Sequence, residues 1–330
     1  MAEKVSILVP IFCVEKYIER CVISLFSQTY SEIEYVFVDD CTPDNSICVL
    51  NKVLEKYPQR REHVRIIRHE KNKGLGAARN TAVAAATGVF VMHVDSDDYL
   101  DLTCVSDCVD AQIQTGADIV AFDQIKIRSS YQYRETKPDF ISPTDMCLNI
   151  IRRDCPNGVC SNFIRKRLYD DNNIRVEKAV SMGEDLIVLP RLLYYAKIVT
   201  NQHKSCYYYD NTNEQSYTSS FSETKAQQVW NVLDYLEEFF KDKNKNCIEA
   251  INVRRLRVAA DHIKSAAISG GHNDYIRGKE LLVDELLPSY GSYLSGALRL
   301  GLRLRSPLLM RYFFKSASHI KTILRRLKSR

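Results

Sequence analysis

The sequence predicts an α/β protein: a mixed, mostly parallel sheet with helices on both faces, followed by a helical C-terminal extension. Three observations predict it. Strand and helix patterns alternate over the first 125 residues, the apolar strands end in acidic or glycine-bearing turns, and only helix patterns remain beyond Phe221.

The elements follow in order. Val5 to Pro10 is an apolar strand, which Pro10 is expected to stop because it cannot donate to a ladder. Glu15 to Gln28 places Ile18, Cys21, Val22 and Leu25 on one helical face. Ile33 to Val38 is a strand ending in Asp39 and Asp40, and a helix runs from about Asp44, its expected N-cap, to Tyr57. Val64 to Arg68 is the next strand, and Gly74 to Thr87 is an Ala-rich helix closed by Gly88. The strand from Gly88 to Val94 runs into Asp95, Asp97 and Asp98. A helix around Asp101 to Thr115 and a strand from Ala117 to Ile127 complete the first half. Between 128 and 220 the pattern is less regular, with short strands at Val159 to Ile164 and Ser205 to Tyr209 and a helix from Glu184 to Tyr195. Three helices are expected next: Glu223 to Lys241, Ile248 to Ser269 and Tyr275 to Leu287. No internal repeat or low-complexity linker interrupts them.

With 330 residues, 45% of them hydrophobic, the chain can bury a large core. Its eleven cysteines form no CxxC pair and follow no regular spacing, which argues against zinc and a disulfide framework; they read as reduced, buried thiols. The N-terminus carries no charged and apolar leader pattern, and no window reaches about 18 uninterrupted apolar residues, so the expected location is the cytoplasm. Charge is uneven. From Leu286 to Arg330 there are ten basic residues and no acidic one, leaving 36 basic against 41 acidic residues in the remainder.

The strand ending at Asp95, Asp97 and Asp98 is the most informative stretch. Three carboxylates on a fixed platform repel one another unless a cation offsets them, and a hard divalent ion suits oxygen ligands. The structural alternative is an Asp-rich turn capping the next helix. Asp39 and Asp40 also sit at a strand end, where open α/β sheets bind ligands, against the alternative of capping and turn formation. Arg79, in a segment from Asn72 to Asn80 with small residues at a helix start, is a candidate donor to a ligand, while Gly74, Gly76, Ala77 and Ala78 read as packing. Glu184 and Asp185 begin a helix, where acidic residues also favour the dipole. His93 reads as a core histidine rather than a metal ligand.

Val5 to Pro10, Val36 to Asp40, Asn72 to Asn80, Asp95-Ser96-Asp97-Asp98 and Gly183-Glu184-Asp185, in that order, resemble the family 2 glycosyltransferases. The resemblance covers roughly residues 4 to 220 and implies the GT-A fold, a nucleotide-activated sugar donor and inversion at the anomeric centre. It implies a GT-A domain over 1–220, with a nucleotide-sugar half at 1–127 and an acceptor half at 128–220; the helical extension, 221–330, carries no such signature. By it, Pro10 and Phe12 begin the nucleotide pocket, Asp40 accepts a hydrogen bond from the base with Asp39 beside it, and Asn72 opens the loop that carries Arg79 to base or diphosphate. Asp95-Ser96-Asp97 is similar to the family's DxD motif, with Asp95 on ribose or sugar and Asp97 on Mn²⁺ or Mg²⁺ bridging the diphosphate. Asp98 supports that site, Asp185 is the catalytic base next to Glu184, and Tyr208 is an acceptor-site candidate. Tyr207-Tyr208-Tyr209 and Ser216-Tyr217-Thr218-Ser219 resemble the family's Y-x-Y and S-x-S segments, but Asp210 stands where many members have Arg.

The resemblance also implies a UDP-sugar donor and a glycan or lipid-linked acceptor. A sugar nucleotidyltransferase would carry a glycine-rich loop directly after the first strand, and Ile11-Phe12-Cys13-Val14 has no glycine. A non-catalytic nucleotide-sugar-binding scaffold at the membrane is the other alternative. In the tail, residues 299–330, Leu309, Phe313, Ala317, Ile320, Leu324 and Leu327 recur at helical spacing beside basic residues, as in a helix lying at the inner membrane face; a docked terminal helix is the rival reading. No nucleic-acid-binding motif appears.

Overall fold

The computed structural model describes residues 2–156, 158–177, 180, 182–213, 223–269, 274–304, 309–310 and 312–316. The chain divides into two compact units, Met1–Tyr235 and Leu236–Arg330.

The first unit is built on β1 (Val5–Ile11), β2 (Ile33–Asp39), β3 (Val64–Arg68), β4 (Phe90–His93), β5 (Tyr99–Leu100), β6 (Ile119–Ile127), β7 (Gln132–Glu135), β8 (Asn162–Arg165) and β9 (Val199–Asp210). These form one sheet of order β3-β2-β1-β4-β8-β6-β9-β5, with β7 on β6. The β1–β2, β1–β4, β2–β3 and β6–β9 pairs are parallel, and β8 runs antiparallel to both its neighbours, so the sheet is mixed and mostly parallel as expected. β1 and β2 are buried along their whole length, which is why they read as near-continuous apolar runs. β3, at the edge, keeps Ile66 exposed.

Helices α1 (Ile18–Phe26), α2 (Ser46–Glu55), α3 (Leu75–Ala85), α4 (Cys104–Thr115), α5 (Pro143–Arg152), α6 (Arg167–Asp171) and α7 (Glu184–Tyr195) connect the strands. α7 has the bounds its sequence pattern predicts. Two local expectations are corrected. Pro10 does not stop the first strand: it lies within β1, opposite Val38. The Leu8 carbonyl accepts from Val94, so Pro10, two residues on, turns the same backbone edge toward space beyond the end of β4, where no ladder bond is lost. Asp44 is not the N-cap of α2, which is Asn45. Asp44 nevertheless satisfies the helix start from one position earlier, accepting from Ser46 N at 3.1 Å and Ser46 Oγ at 2.6 Å. The small residues of α3 pack as expected, since a Cβ on Gly76 would meet Val176 Cγ1 at 2.6 Å. None of the eleven cysteines forms a disulfide, and eight are buried.

α8 (Glu223–Phe240) runs across the division between the units. In the second unit α9 (Lys245–Ser269), α10 (Asp274–Tyr290) and α11 (Gly296–Arg303) follow one another, with Phe240, Ile251, Leu256 and Ala260 buried. Of the predicted tail, Leu309 is exposed, whereas Met310 and Phe314 are buried, and a Cβ on Gly301 would meet the Phe314 ring at 2.4 Å. The described part of the tail thus turns Met310 and Phe314 inward rather than Leu309. Ala317, Ile320, Leu324 and Leu327 lie outside the described residues, as do Ser216, Tyr217, Thr218 and Ser219. Among the described residues no helix is long and apolar enough to cross a membrane.

Candidate active site

The parallel register sets Ile11 beside Asp39 and Leu8 beside His93, so the carboxyl ends of β1, β2 and β4 form one rim. Pro10 is buried below it, and Phe12 just above is 45% exposed.

At the end of β2 both carboxylates are buried and used. Asp40 accepts from Lys73 N at 2.9 Å, Gly74 N at 2.8 Å and His69 Nδ1 at 2.6 Å, so it pins the loop that begins α3. Asp39 accepts from Thr42 N at 2.8 Å and faces Arg68 Nε at 3.4 Å. Asn72 Oδ1 accepts from Gly74 N at 3.1 Å in the same loop. These contacts show Asp40 fixing the loop that begins α3.

The end of β4 is different. Asp98 is buried and accepts from Tyr207 Oη at 2.6 Å and Asp210 N at 2.8 Å, tying the turn to β9. Tyr207 Oη in turn accepts from Asp95 N at 3.1 Å. Burial, then the charges of Asp97 and Asp95, hold the Asp98 carboxyl well above the usual range. Asp97 takes a hydrogen bond from Asn213 Nδ2 at 2.9 Å, yet burial and the Asp95 charge push it up to about 6. Ser96 between them is buried. This turn carries more negative charge than its neighbours offset.

Arg79, buried on α3, joins this turn to the start of α7. Its Nη2 donates to Asp95 Oδ1 at 2.9 Å, its Nη1 donates to Asp185 Oδ1, and Glu184 Oε1 lies 3.7 Å away. α7 starts where it does because Gly183 adopts φ 88°, a left-handed conformation that L side chains rarely take. Burial raises the Glu184 carboxyl, and the Asp185 charge adds to it; burial also raises Asp185, against the opposing pull of Arg79. The Asp185 side chain is 22% exposed and so keeps an open edge, whereas Glu184 has almost none. A half-open carboxylate with raised basicity is suited to take a proton.

Tyr208 stacks on Tyr99 with ring centroids 4.5 Å apart and planes 5° from parallel, which is sheet packing. Arg20 lies over the same Tyr99 ring and pairs with Asp210 at 2.5 Å. His93 is buried, as expected of a core histidine, with Nε2 3.1 Å from Tyr169 Oη, and burial lowers it to about 3. Sequence reasoning missed Arg20, His69, Tyr207 and Asn213 as parts of this site. Each meets its partner across the fold, and only the Tyr207-Tyr208-Tyr209 run offered a signal.

Among the described residues no group of three or more His, Cys, Asp or Glu is arranged to hold a metal ion by itself. The donor set still fits a hard cation. Asp97 is a buried oxygen donor in surplus negative charge, and Mg²⁺ or Mn²⁺ bound through one or two carboxylates completes its shell with phosphate oxygens and water.

An acidic turn at the carboxyl ends of parallel strands, linked through one arginine to a carboxylate pair on a separate helix, defines a group-transfer enzyme of the open α/β class. Residues 6–172, just over half of the chain, match the model of glycosyl transferase family 2, and the chain belongs to that family. It is 41% identical over 195 residues to the uncharacterized glycosyltransferase EpsJ of Bacillus subtilis, covering 56% of this chain and 54% of that one. It is 28% identical over 224 residues to the poly(ribitol-phosphate) beta-N-acetylglucosaminyltransferase TarS of Staphylococcus aureus, covering 66% of this chain and 37% of that one. The chain therefore spans about half or less of the length of these relatives. The fold, GT-A, is shared with the crystal structure of TarS 1-349 in complex with UDP-GlcNAc, at TM-score 0.71 and 19% identity over 96% of this chain and 92% of that one. It is also shared with the mannosyltransferase PcManGT of Pyrobaculum calidifontis in complex with GDP-Man and Mn²⁺, at TM-score 0.56 and 14% identity over 96% and 86%.

Proposed function

We propose that this protein is a metal-dependent, inverting glycosyltransferase that moves a sugar from a UDP-sugar to a hydroxyl of a glycan or lipid-linked glycan in cell-surface polysaccharide assembly. The observation that carries the reading is the charge of Asp97, raised by burial and by Asp95, on one side of Arg79, with Asp185 on the other. The UDP-GlcNAc complex of TarS supports the donor, and the Mn²⁺ of the mannosyltransferase complex supports the cation.

In this reading residues 1–220 are the catalytic domain, with the nucleotide-sugar half at 1–127 and the acceptor half at 128–220. Asp97 would hold Mn²⁺ or Mg²⁺, and Asp95 beside it contacts the ribose or sugar. When bound, the cation offsets the diphosphate charge and acts as a Lewis acid toward the leaving group. Pro10, Phe12 and the loop pinned by Asp40 wall the nucleotide pocket, where the exposed Phe12 ring offers an apolar face to the base. Asp185 accepts the proton of the attacking hydroxyl from the face opposite the diphosphate, which inverts the anomeric centre. Glu184, raised by burial, stays protonated longer than a surface carboxyl and leaves Asp185 as the more accessible acceptor. The basic stretch after Leu286, with exposed Leu309 and Tyr312, draws the protein to the anionic inner face of the cell membrane.

The test is donor hydrolysis across UDP- and GDP-sugars, with and without Mn²⁺ or Mg²⁺, repeated for Asp97→Ala and Asp185→Ala. The reading expects metal-dependent release of UDP that both substitutions abolish. Tight UDP binding without turnover of any donor would point to a scaffold instead, and full activity in Asp185→Ala would move the base elsewhere.

A further inference from the structure

Arg79 is usefully placed to be a donor ligand in sequence, but its side chain is committed elsewhere. The residue is 4% exposed, and both terminal nitrogens are spent on carboxylates from different parts of the chain. Nη2 holds Asp95, the donor-side carboxylate, and Nη1 holds Asp185, 106 residues away on α7. Its third donor, Nε, is buried with no partner, so it does not reach the rim either. A rigid planar fork that spans two carboxylates fixes their separation and orientation, which a point charge cannot do.

Deepening the functional reading above, and resting on it for the role of Asp185, we propose that Arg79 is a positioning residue: it holds the Asp185 carboxylate ionised and aimed while tying it to Asp95, and it takes no part in binding the nucleotide sugar.

Two groups favour the Asp185 carboxylate, Arg79 first and the Val159 backbone after it, and Arg79 is the charged one. Glu184 from α7, Asp95 beyond β4, Cys160 from the turn at 159–161 and Tyr169 from α6 all face this cluster, and each of them in ionised form disfavours a second negative charge. His93 on β4 lines the same cavity as Arg79 and Asp185 but is held neutral by burial. Among the described residues Arg79 is therefore the one fixed cation facing Asp185 that favours the carboxylate. Its grip on Asp95 also links the donor end of the site to the base, and because none of its nitrogens is turned toward a ligand, loss of the fork should be felt chiefly at the acceptor step.

The experiment compares the unmodified protein with Arg79→Met and Arg79→Lys in two measurements. UDP affinity in the presence of Mn²⁺ is read by calorimetry, and the titration midpoint of Asp185 is read from carboxyl ¹³C-labelled aspartate, assigned with Asp185→Asn. The proposal expects UDP affinity to stay within about threefold in both variants. It expects the Asp185 midpoint to rise by about one pH unit or more in Arg79→Met, with partial restoration in Arg79→Lys. If Arg79→Met does not fold, Arg79→Lys decides, because one ammonium cannot span both carboxylates. A loss of UDP affinity of about tenfold or more, or an unmoved Asp185 midpoint, overturns the proposal. Absence of any UDP binding to the unmodified protein would instead overturn the functional reading, and the titration would still report whether Arg79 governs Asp185.

Discussion

The two acidic strand ends on the rim, Asp39-Asp40 after β2 and Asp95 to Asp98 after β4, look alike in sequence and differ in their bookkeeping of charge. Asp40 meets two backbone amides and a histidine, and Asp39 meets an amide and an arginine. Asp97 has one amide side chain, and Asp98 a tyrosine and one backbone amide, with Asp95 adding its own charge to both. A carboxylate satisfied inside the fold is a structural part; one left above its usual range by burial and like charge is waiting for a cation. The difference teaches that strand-end acidity alone does not mark a ligand site. What marks it is acidity that the protein does not itself neutralise.

The sharpest way to break this comparison is through activity. Asp185→Asn should lower turnover by about 10²–10⁴-fold with little change in UDP affinity, since it removes the base and not the donor site. Asp97→Asn should also abolish turnover, but thermal unfolding without metal should show a Tm unchanged or raised, because a repelling charge is gone. Asp40→Asn should do the reverse for stability. One of the Lys73 and Gly74 amides would then face an NH₂ group, at a cost of about 1–3 kcal/mol in urea unfolding. If Asp97→Asn destabilises as much as Asp40→Asn, the two strand ends are equivalent and the distinction fails. Tyr207→Phe removes the hydroxyl shared by Asp95 N and Asp98, and should cost about 1 kcal/mol with a modest loss of activity.

A further carboxylate extends the contrast to pH. Burial alone would raise Glu34, but hydrogen bonds from Ser6 Oγ, Thr87 N and Thr87 Oγ1 and the Lys4 ammonium bring it down to about 2. Its folded value lies below its ordinary value of 4.5, so its stabilisation is present above pH 4.5 and lost as pH falls toward 2. Glu34→Gln should flatten the stability curve in that window and nowhere else. Persistence of the full acid slope would assign it to other groups.

Much of the first 127 residues was legible because the signals there are local. Apolar runs of β1 and β2 and the small residues of α3 are read within a dozen residues, as is the start of α7 at Glu184 further along the chain. Local reading failed at Pro10, where the end of β4 removes the need for a ladder bond, and at Asp44, which satisfies α2 from outside the cap position. The stretch from residue 128 onward was harder. β8 enters the sheet between β4 and β6, reversing direction, and β9 carries a register shift near Ser205, so pairing there depends on partners distant in sequence. The same holds for the site. Asp95, Asp97, Glu184 and Asp185 were visible as motifs, but the orientation of Arg79, the Tyr207 bridge and the Arg20–Asp210 pair each join segments from 16 to 190 residues apart. A single sequence lists such residues without revealing which ones meet.

The account rests on the charge left uncompensated after β4, and UDP titration with and without Mn²⁺, in the unmodified protein and in Asp97→Asn, tests it most directly. Mn²⁺ should strengthen UDP binding by about tenfold or more in the unmodified protein and do little in Asp97→Asn. UDP binding that ignores Mn²⁺, or that responds to it equally in both proteins, would contradict it.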